Sequence, residues 1–233
     1  MSTSVIVALD FPSKANAMAL VQLLGEEAIF YKVGLQLLTE EGPNVVRELV
    51  AQGKSVFLDL KLHEIPNSVA GAVTAAGKLG ASMVTVHASA GSAVLRAAVD
   101  AAGPFPNLKV LALTVITSLT DGDLPEVGLA PSVQEQVGRL ASLAVHCSCH
   151  GVVASVAEVG YLVNRLPPGM LIVAPGIHLE GAAYSDQARI ATPEMARAQG
   201  ATHIVIGRSV TRATNPQAAY RAALAGMRVA SVA

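Results

Sequence analysis

Eight short apolar runs alternate with Ala-rich stretches of helical spacing, and this alternation constrains the fold more than any other feature of the chain. The runs are "SVIVALD", "AIFYKVG", "SVFLDL", "SMVTVHA", "KVLALTV", "GVVAS", "LIVAPG" and "HIVIGRS", and each reads as a strand. Between them, segments 13–24, 36–51, 66–78, 91–101, 133–146 and 193–198 read as helices, and a last helix follows Pro216. Eight βα units in 233 residues predict an α/β protein, a closed (β/α)8 TIM barrel forming a single domain over residues 1–233. The alternation by itself leaves a doubly wound open sheet as the other arrangement.

Composition narrows the class of function. The longest apolar stretches, such as "VLALTVI" at 110–116, are interrupted well short of the roughly 20 residues that a bilayer span needs, so a soluble protein without a membrane partner is expected. "MSTSVIVALD" lacks the basic start, long apolar core and cleavage site of a signal peptide, which predicts a cytoplasmic location. A net charge of −1, no basic run and no Trp argue against nucleic acid and toward a small molecule. The two cysteines, Cys147 and Cys149, are too close for a useful staple and fit a reducing compartment.

The strands begin apolar and end in groups capable of chemistry: Asp10, Lys32, Asp59 with Lys61, His87, Thr114 then Thr117, Ser155, Pro175 with Gly176, and Gly207 with Arg208. In a (β/α)8 barrel that end carries the active site. Side chains alternate along a strand, so Asp59 and Lys61 share a face with Phe57, Lys32 with Phe30, and Asp10 with Ile6 and Ala8. Two carboxylates and two ammoniums are thereby expected to converge at the barrel mouth. The bland alternative is an ion-pair network that fills the barrel end, although barrel interiors are normally packed with branched apolar side chains. Glu64, two residues before the helix-starting Pro66, reads either as a functional carboxylate or as a favourable charge at a helix start.

"DLKLHEIPNS" resembles the D-x-K-x-x-D-I-P-N-T signature of the orotidine 5′-monophosphate decarboxylase family. "VALD", "YKVG", "VHASAGS", "LTVITS", "APGIH" followed by "SDQARI", and "VIGRSVTRATNP" resemble the family's other motifs, in order and across nearly the whole chain. The resemblance implies decarboxylation of orotidine 5′-monophosphate to uridine 5′-monophosphate with no metal and no organic cofactor. Loss of CO2 leaves negative charge on a ring carbon, so the site needs a fixed cation and a proton to deliver. The resemblance makes Lys61 the proton donor and sets Asp59 beside the departing carboxylate. It gives Lys32 the task of holding Asp59 and the ribose, and Asp10 a ribose hydroxyl. Glu64 and Ser68 would reach into the neighbouring subunit's site, which implies a homodimer, and Ile65 would form an apolar wall near the pyrimidine. Thr117 and Ser118 would meet the base. Gln187, Gly207 and Arg208 match phosphate ligands, and Pro175 to Asp186 reads as a lid.

Three positions depart from the family pattern. Glu64 stands where the signature has Asp, and Ser68 replaces Thr while keeping the hydroxyl. His178 stands where "PGIR" would place an arginine. An imidazole is not a permanent cation, so phosphate grip is expected to be weaker and the Michaelis constant to rise between about pH 6 and 8. "HCSCHG" at 146–151 resembles a metal motif but closes a helix with ligands too tightly spaced for a structural zinc site. His63 is expected to be positional and His87 to support the site through a hydrogen bond. Two rival functions remain: a related Mg²⁺-dependent phosphosugar-acid decarboxylase, and an inactive nucleotide-monophosphate-binding barrel.

Overall fold

Residues 4–130, 132–180 and 191–228 are described by a computed structural model. Eight parallel strands pair in chain order and close on themselves: β1 (Val5–Ala8), β2 (Phe30–Gly34), β3 (Ser55–Leu62), β4 (Met83–His87), β5 (Lys109–Leu113), β6 (Gly151–Val153), β7 (Leu171–Ile177) and β8 (His203–Ile206). Closure is made by β1 against β8, with Val5 opposite Ile204 and Val7 opposite Ile206. The eight expected strands are all present, and the doubly wound alternative falls with the closed ring.

The helices are α1 (Lys14–Leu24), α2 (Leu35–Glu41), α3 (Asn44–Ala51), α4 (Pro66–Lys78), α5 (Ser92–Ala102), α6 (Val133–His146), α7 (Val156–Val163), α8 (Pro193–Gln199), α9 (Arg208–Thr211) and α10 (Pro216–Met227). The helix expected over 36–51 is two, because Gly42 caps α2 and Pro43 starts α3. Helix α7 was not anticipated: its valines are weak helix formers, yet Ser155 and Glu158 hydrogen-bond to each other at its start, in the S-x-x-E spacing of a capping box. The short α9 was also unanticipated.

Period-two alternation divides the strands between two apolar layers. Ile6, Ala8, Phe30, Phe57, Met83, Leu111, Leu113, Val153, Val173 and Val205 fill the barrel interior. Their neighbours, among them Val7, Tyr31, Val33, Leu58, Val84, Val110, Val152 and Ile204, pack outward against the helices. Burying a side chain of this size stabilises the fold by about 1.5–3 kcal/mol.

The two barrel ends differ in kind. At the strand starts, polar groups close the floor: buried Lys54 donates to the carbonyls of Gly25 (2.8 Å) and Ala28 (3.2 Å), and His203 lies edge-on to Phe30 at 6.1 Å. These contacts belong to stability, as expected of the N-terminal face of a (β/α)8 barrel. The same end holds the "HCSCHG" segment, where His150 Nδ1 accepts from the Val110 N–H (3.0 Å) and burial pushes the Cys149 thiol up to about 12. Among the described residues, no group of three His, Cys, Asp or Glu side chains is arranged to hold a metal ion, and no helix is long and apolar enough to cross a membrane.

Candidate active site

At the strand ends, the inward-facing rows pass from apolar residues into four charges. Lys32 Nζ is 2.8 Å from Asp10 Oδ1 and 3.9 Å from Asp59 Oδ2, and Lys61 Nζ is 2.8 Å from the same Asp59 oxygen. The order Asp10, Lys32, Asp59, Lys61 alternates in sign, so each buried ion has an opposite neighbour, the condition under which desolvation is tolerable. Side-chain exposure runs from 11% at Lys32 and 14% at Asp59 to 37% at Lys61 and 56% at Asp10, which leaves Lys61 as the more accessible ammonium.

Lys61 meets Asp59 by a route that simple alternation does not describe. Its φ is +49°, in the left-handed region that costs an L-residue about 1–2 kcal/mol. Strain of this sort gathers at functional sites, which favours chemistry over a network that merely fills the barrel end. Two further residues shape the cluster, and neither was picked out from the sequence. Thr85, fully buried in β4, donates to Asp59 Oδ1 (3.0 Å) and accepts from the Lys61 N–H (2.9 Å). Gly34 continues the inward row of Phe30 and Lys32, and a Cβ there would sit 2.9 Å from Lys32 Nζ and 3.3 Å from Asp10 Oδ1. Both lie on inward parity at strand ends, which was the available signal.

The remaining expected residues ring this cluster. Glu64, Ile65 and Ser68 are exposed between β3 and the first turn of α4, with Ile65 62% exposed. Hydrogen bonds from Ser68 and then from the Ile65 backbone hold the Glu64 carboxyl below its ordinary range. Thr117 and Ser118 are exposed in the loop after β5. His87 accepts or donates at Nδ1 to Ser89 Oγ (2.6 Å), and its ring stacks on His63 at 5.0 Å. Burial lowers its pKa, and the neighbouring His63 and Lys61 charges lower it further.

On the opposite rim, β7 and β8 lose register between Ala174 and Ile177, at Pro175 and Gly176. His178 follows; it is buried, and its Nδ1 has no hydrogen-bond partner among the described residues. The Leu179 N–H donates to Ser209 Oγ (3.3 Å), tying this segment to α9, whose start carries Gly207 and Arg208. Gln187 lies outside the described residues, as does the second half of the expected lid, 181–186.

A family model described as "Orotidine 5'-phosphate decarboxylase / HUMPS family" matches residues 3–223. The chain belongs to this family. It is 46% identical to the orotidine 5'-phosphate decarboxylase of Anaeromyxobacter dehalogenans over 226 residues, covering 97% of this chain and 99% of that relative. It is 47% identical to the one from Alkalilimnicola ehrlichii over 215 residues, 92% of each chain. Among solved structures, orotidine 5'-phosphate decarboxylase from Lactobacillus acidophilus superimposes with a TM-score of 0.87 at 36% identity, covering 98% of this chain and all of the other. Within this orotidine 5'-phosphate decarboxylase / HUMPS chain, the signature stretch "DLKLHEIPNS" spans the end of β3 and the start of α4, so the motif and the charged cluster coincide.

Proposed function

We propose that this protein decarboxylates orotidine 5′-monophosphate to uridine 5′-monophosphate and CO2, the last step of de novo uridine 5′-monophosphate synthesis, without metal or organic cofactor. The observation that carries this reading is the alternating row Asp10–Lys32–Asp59–Lys61 at the barrel mouth. The names of the similar proteins support it. The carbon–carbon bond to the carboxylate breaks, its electron pair stays on the ring carbon, and the Lys61 ammonium delivers a proton there; the resulting amine regains one from water. Asp59, fixed by Thr85 and Lys61, crowds the substrate carboxylate, and that repulsion lessens as charge moves onto the ring. Lys32, between Asp10 and Asp59, holds Asp59 and the ribose in place, and Asp10 takes a ribose hydroxyl.

Thr117 and Ser118 take the base, and Pro175, His178, Gln187, Gly207 and Arg208 form the phosphate side. The enzyme works in the cytoplasm, as one domain per chain, in a homodimer whose Glu64 and Ser68 complete the neighbouring site, while Ile65 forms an apolar wall near the pyrimidine. Exposure of Leu35 (58%), Ile65 (62%) and Ile116 (40%) around the mouth supports an apolar contact with a second copy.

The test is ultraviolet-monitored loss of orotidine 5′-monophosphate in EDTA. Wild type is expected to turn over and Lys61→Ala to lose turnover. Activity restored only by Mg²⁺ would favour the phosphosugar-type chemistry, and uridine 5′-monophosphate binding without turnover would make the barrel a binding protein.

A further inference from the structure

We propose that Thr85 is a positioning residue, which sets the backbone of Lys61 and the carboxylate of Asp59 through one hydroxyl. The inference rests on the reaction proposed above. Its origin is a register shift: β3 and β4 pair at Phe57 with Met83 and at Leu58 with Val84, then again only at Leu62 with Val86. Three residues of β3, Asp59, Leu60 and Lys61, therefore face the single residue Thr85. The surplus chain is absorbed where Lys61 turns to a φ of +49°.

That turn takes the Lys61 N–H out of the ladder, and Thr85 Oγ1 accepts it at 2.9 Å. The same oxygen lies 3.0 Å from Asp59 Oδ1. A carboxylate only accepts, so the hydroxyl proton is directed at Asp59 while its lone pair serves Lys61. The other Asp59 oxygen takes Lys61 Nζ at 2.8 Å, which closes a ring of hydrogen bonds through Thr85, Asp59 and Lys61. Thr85 itself is fully buried and contributes no free polar group to the mouth. Lys61, by contrast, is 37% exposed along its side chain, so the aim of its ammonium depends on its backbone and on Asp59. Valine could fill the volume of Thr85 but could serve neither partner.

The experiment compares Thr85→Val and Thr85→Ser with wild type in the orotidine 5′-monophosphate assay, together with crystal structures of both variants. Thr85→Val is expected to lower kcat by about 10- to 100-fold, the scale of a misplacement approaching 1 Å. KM should stay within about threefold, because the loss falls on the chemical step. Thr85→Ser keeps the hydroxyl and is expected to recover kcat to within about threefold of wild type. In the Thr85→Val crystal, Lys61 should leave the left-handed region or Asp59 should rotate away from it. If Thr85→Val does not fold, Thr85→Cys carries the same comparison, since a thiol is a weak donor and acceptor.

Wild-type kcat in the valine or cysteine variant, or a serine variant as impaired as valine, overturns the inference. Retention of both the Lys61 φ and the Asp59 contact in the valine crystal also overturns it. A wild type without turnover would sink the proposed reaction instead, and the crystallographic comparison would still decide whether Thr85 holds this geometry.

Discussion

The left-handed backbone at Lys61 makes a prediction about stability that is independent of the reaction. Lys61→Ala and Lys61→Gly both remove the ammonium and its ion pair with Asp59, a contact that is 37% exposed on the lysine side and worth about 0.2–1 kcal/mol after solvent screening. That loss is common to both variants, so their difference isolates the backbone. At an ordinary strand position glycine is less stable than alanine by about 0.5–1 kcal/mol, because it loses more conformational freedom on folding. At a φ of +49° alanine carries a steric cost of about 1–2 kcal/mol that glycine lacks. Taken at the middle of these ranges, the balance reverses the usual order, with Lys61→Gly more stable than Lys61→Ala by roughly 0.8 kcal/mol. For a chain of this size each kcal/mol moves the midpoint by about 2–4 °C, so the two melting curves should separate by about 1–4 °C. Differential scanning calorimetry at neutral pH, with urea unfolding as a second measure, reads this directly. Alanine equal to or more stable than glycine would refute the reasoning, because the strain argued from φ would then be absent.

Other consequences are equally accessible. Gly34→Ala should fold normally but push the Lys32 tip away from Asp10, lowering kcat/KM by about tenfold; a value within twofold of wild type would dismiss the close approach. His87, His150 and His203 all have pKa values lowered chiefly by burial. The folded protein therefore binds fewer protons than the unfolded chain from the usual histidine range near 6.5 downward, and stability falls as pH drops through that window and is insensitive to these groups above it. His203→Gln should make the decline of Tm between about pH 7 and 5 shallower, and an unchanged slope would contradict the cost assigned to burying that ring. Ser68→Ala should let the Glu64 carboxyl rise toward its ordinary value, read by carbon NMR titration; no movement would remove Ser68 as the cause. His178→Arg, which would put a permanent cation on the phosphate side, should lower the KM for orotidine 5′-monophosphate several-fold, whereas an unchanged KM would end the argument from His178.

Much of the fold and part of the site are legible in the linear order of residues, because each rests on a local rule. Strand alternation is one such rule: knowing that Ile6, Ala8 and Asp10 share a side suffices to bring Asp10 to the mouth with Lys32 and Asp59. The Pro66 and Pro216 helix starts are local in the same way, and the Gly42–Pro43 break between α2 and α3 could have been read there too. Helix α7 escaped because its valines speak for a strand while packing against the barrel decides for a helix. What local rules leave out is relational. Nothing within "DLKLHEIP" says that three of its residues will face one threonine, because register is a property of two strands. The sequence thus determined which charges are present, which side of their strands Asp10, Lys32 and Asp59 occupy and that eight βα units follow one another along the chain, whereas closure of the ring is a matter of β1 meeting β8. Only the tertiary structure decided that Lys61 turns left-handed, that Thr85 joins its backbone to Asp59 and that Gly34 leaves room for the Lys32–Asp10 pair, because each depends on distances between segments far apart in the chain.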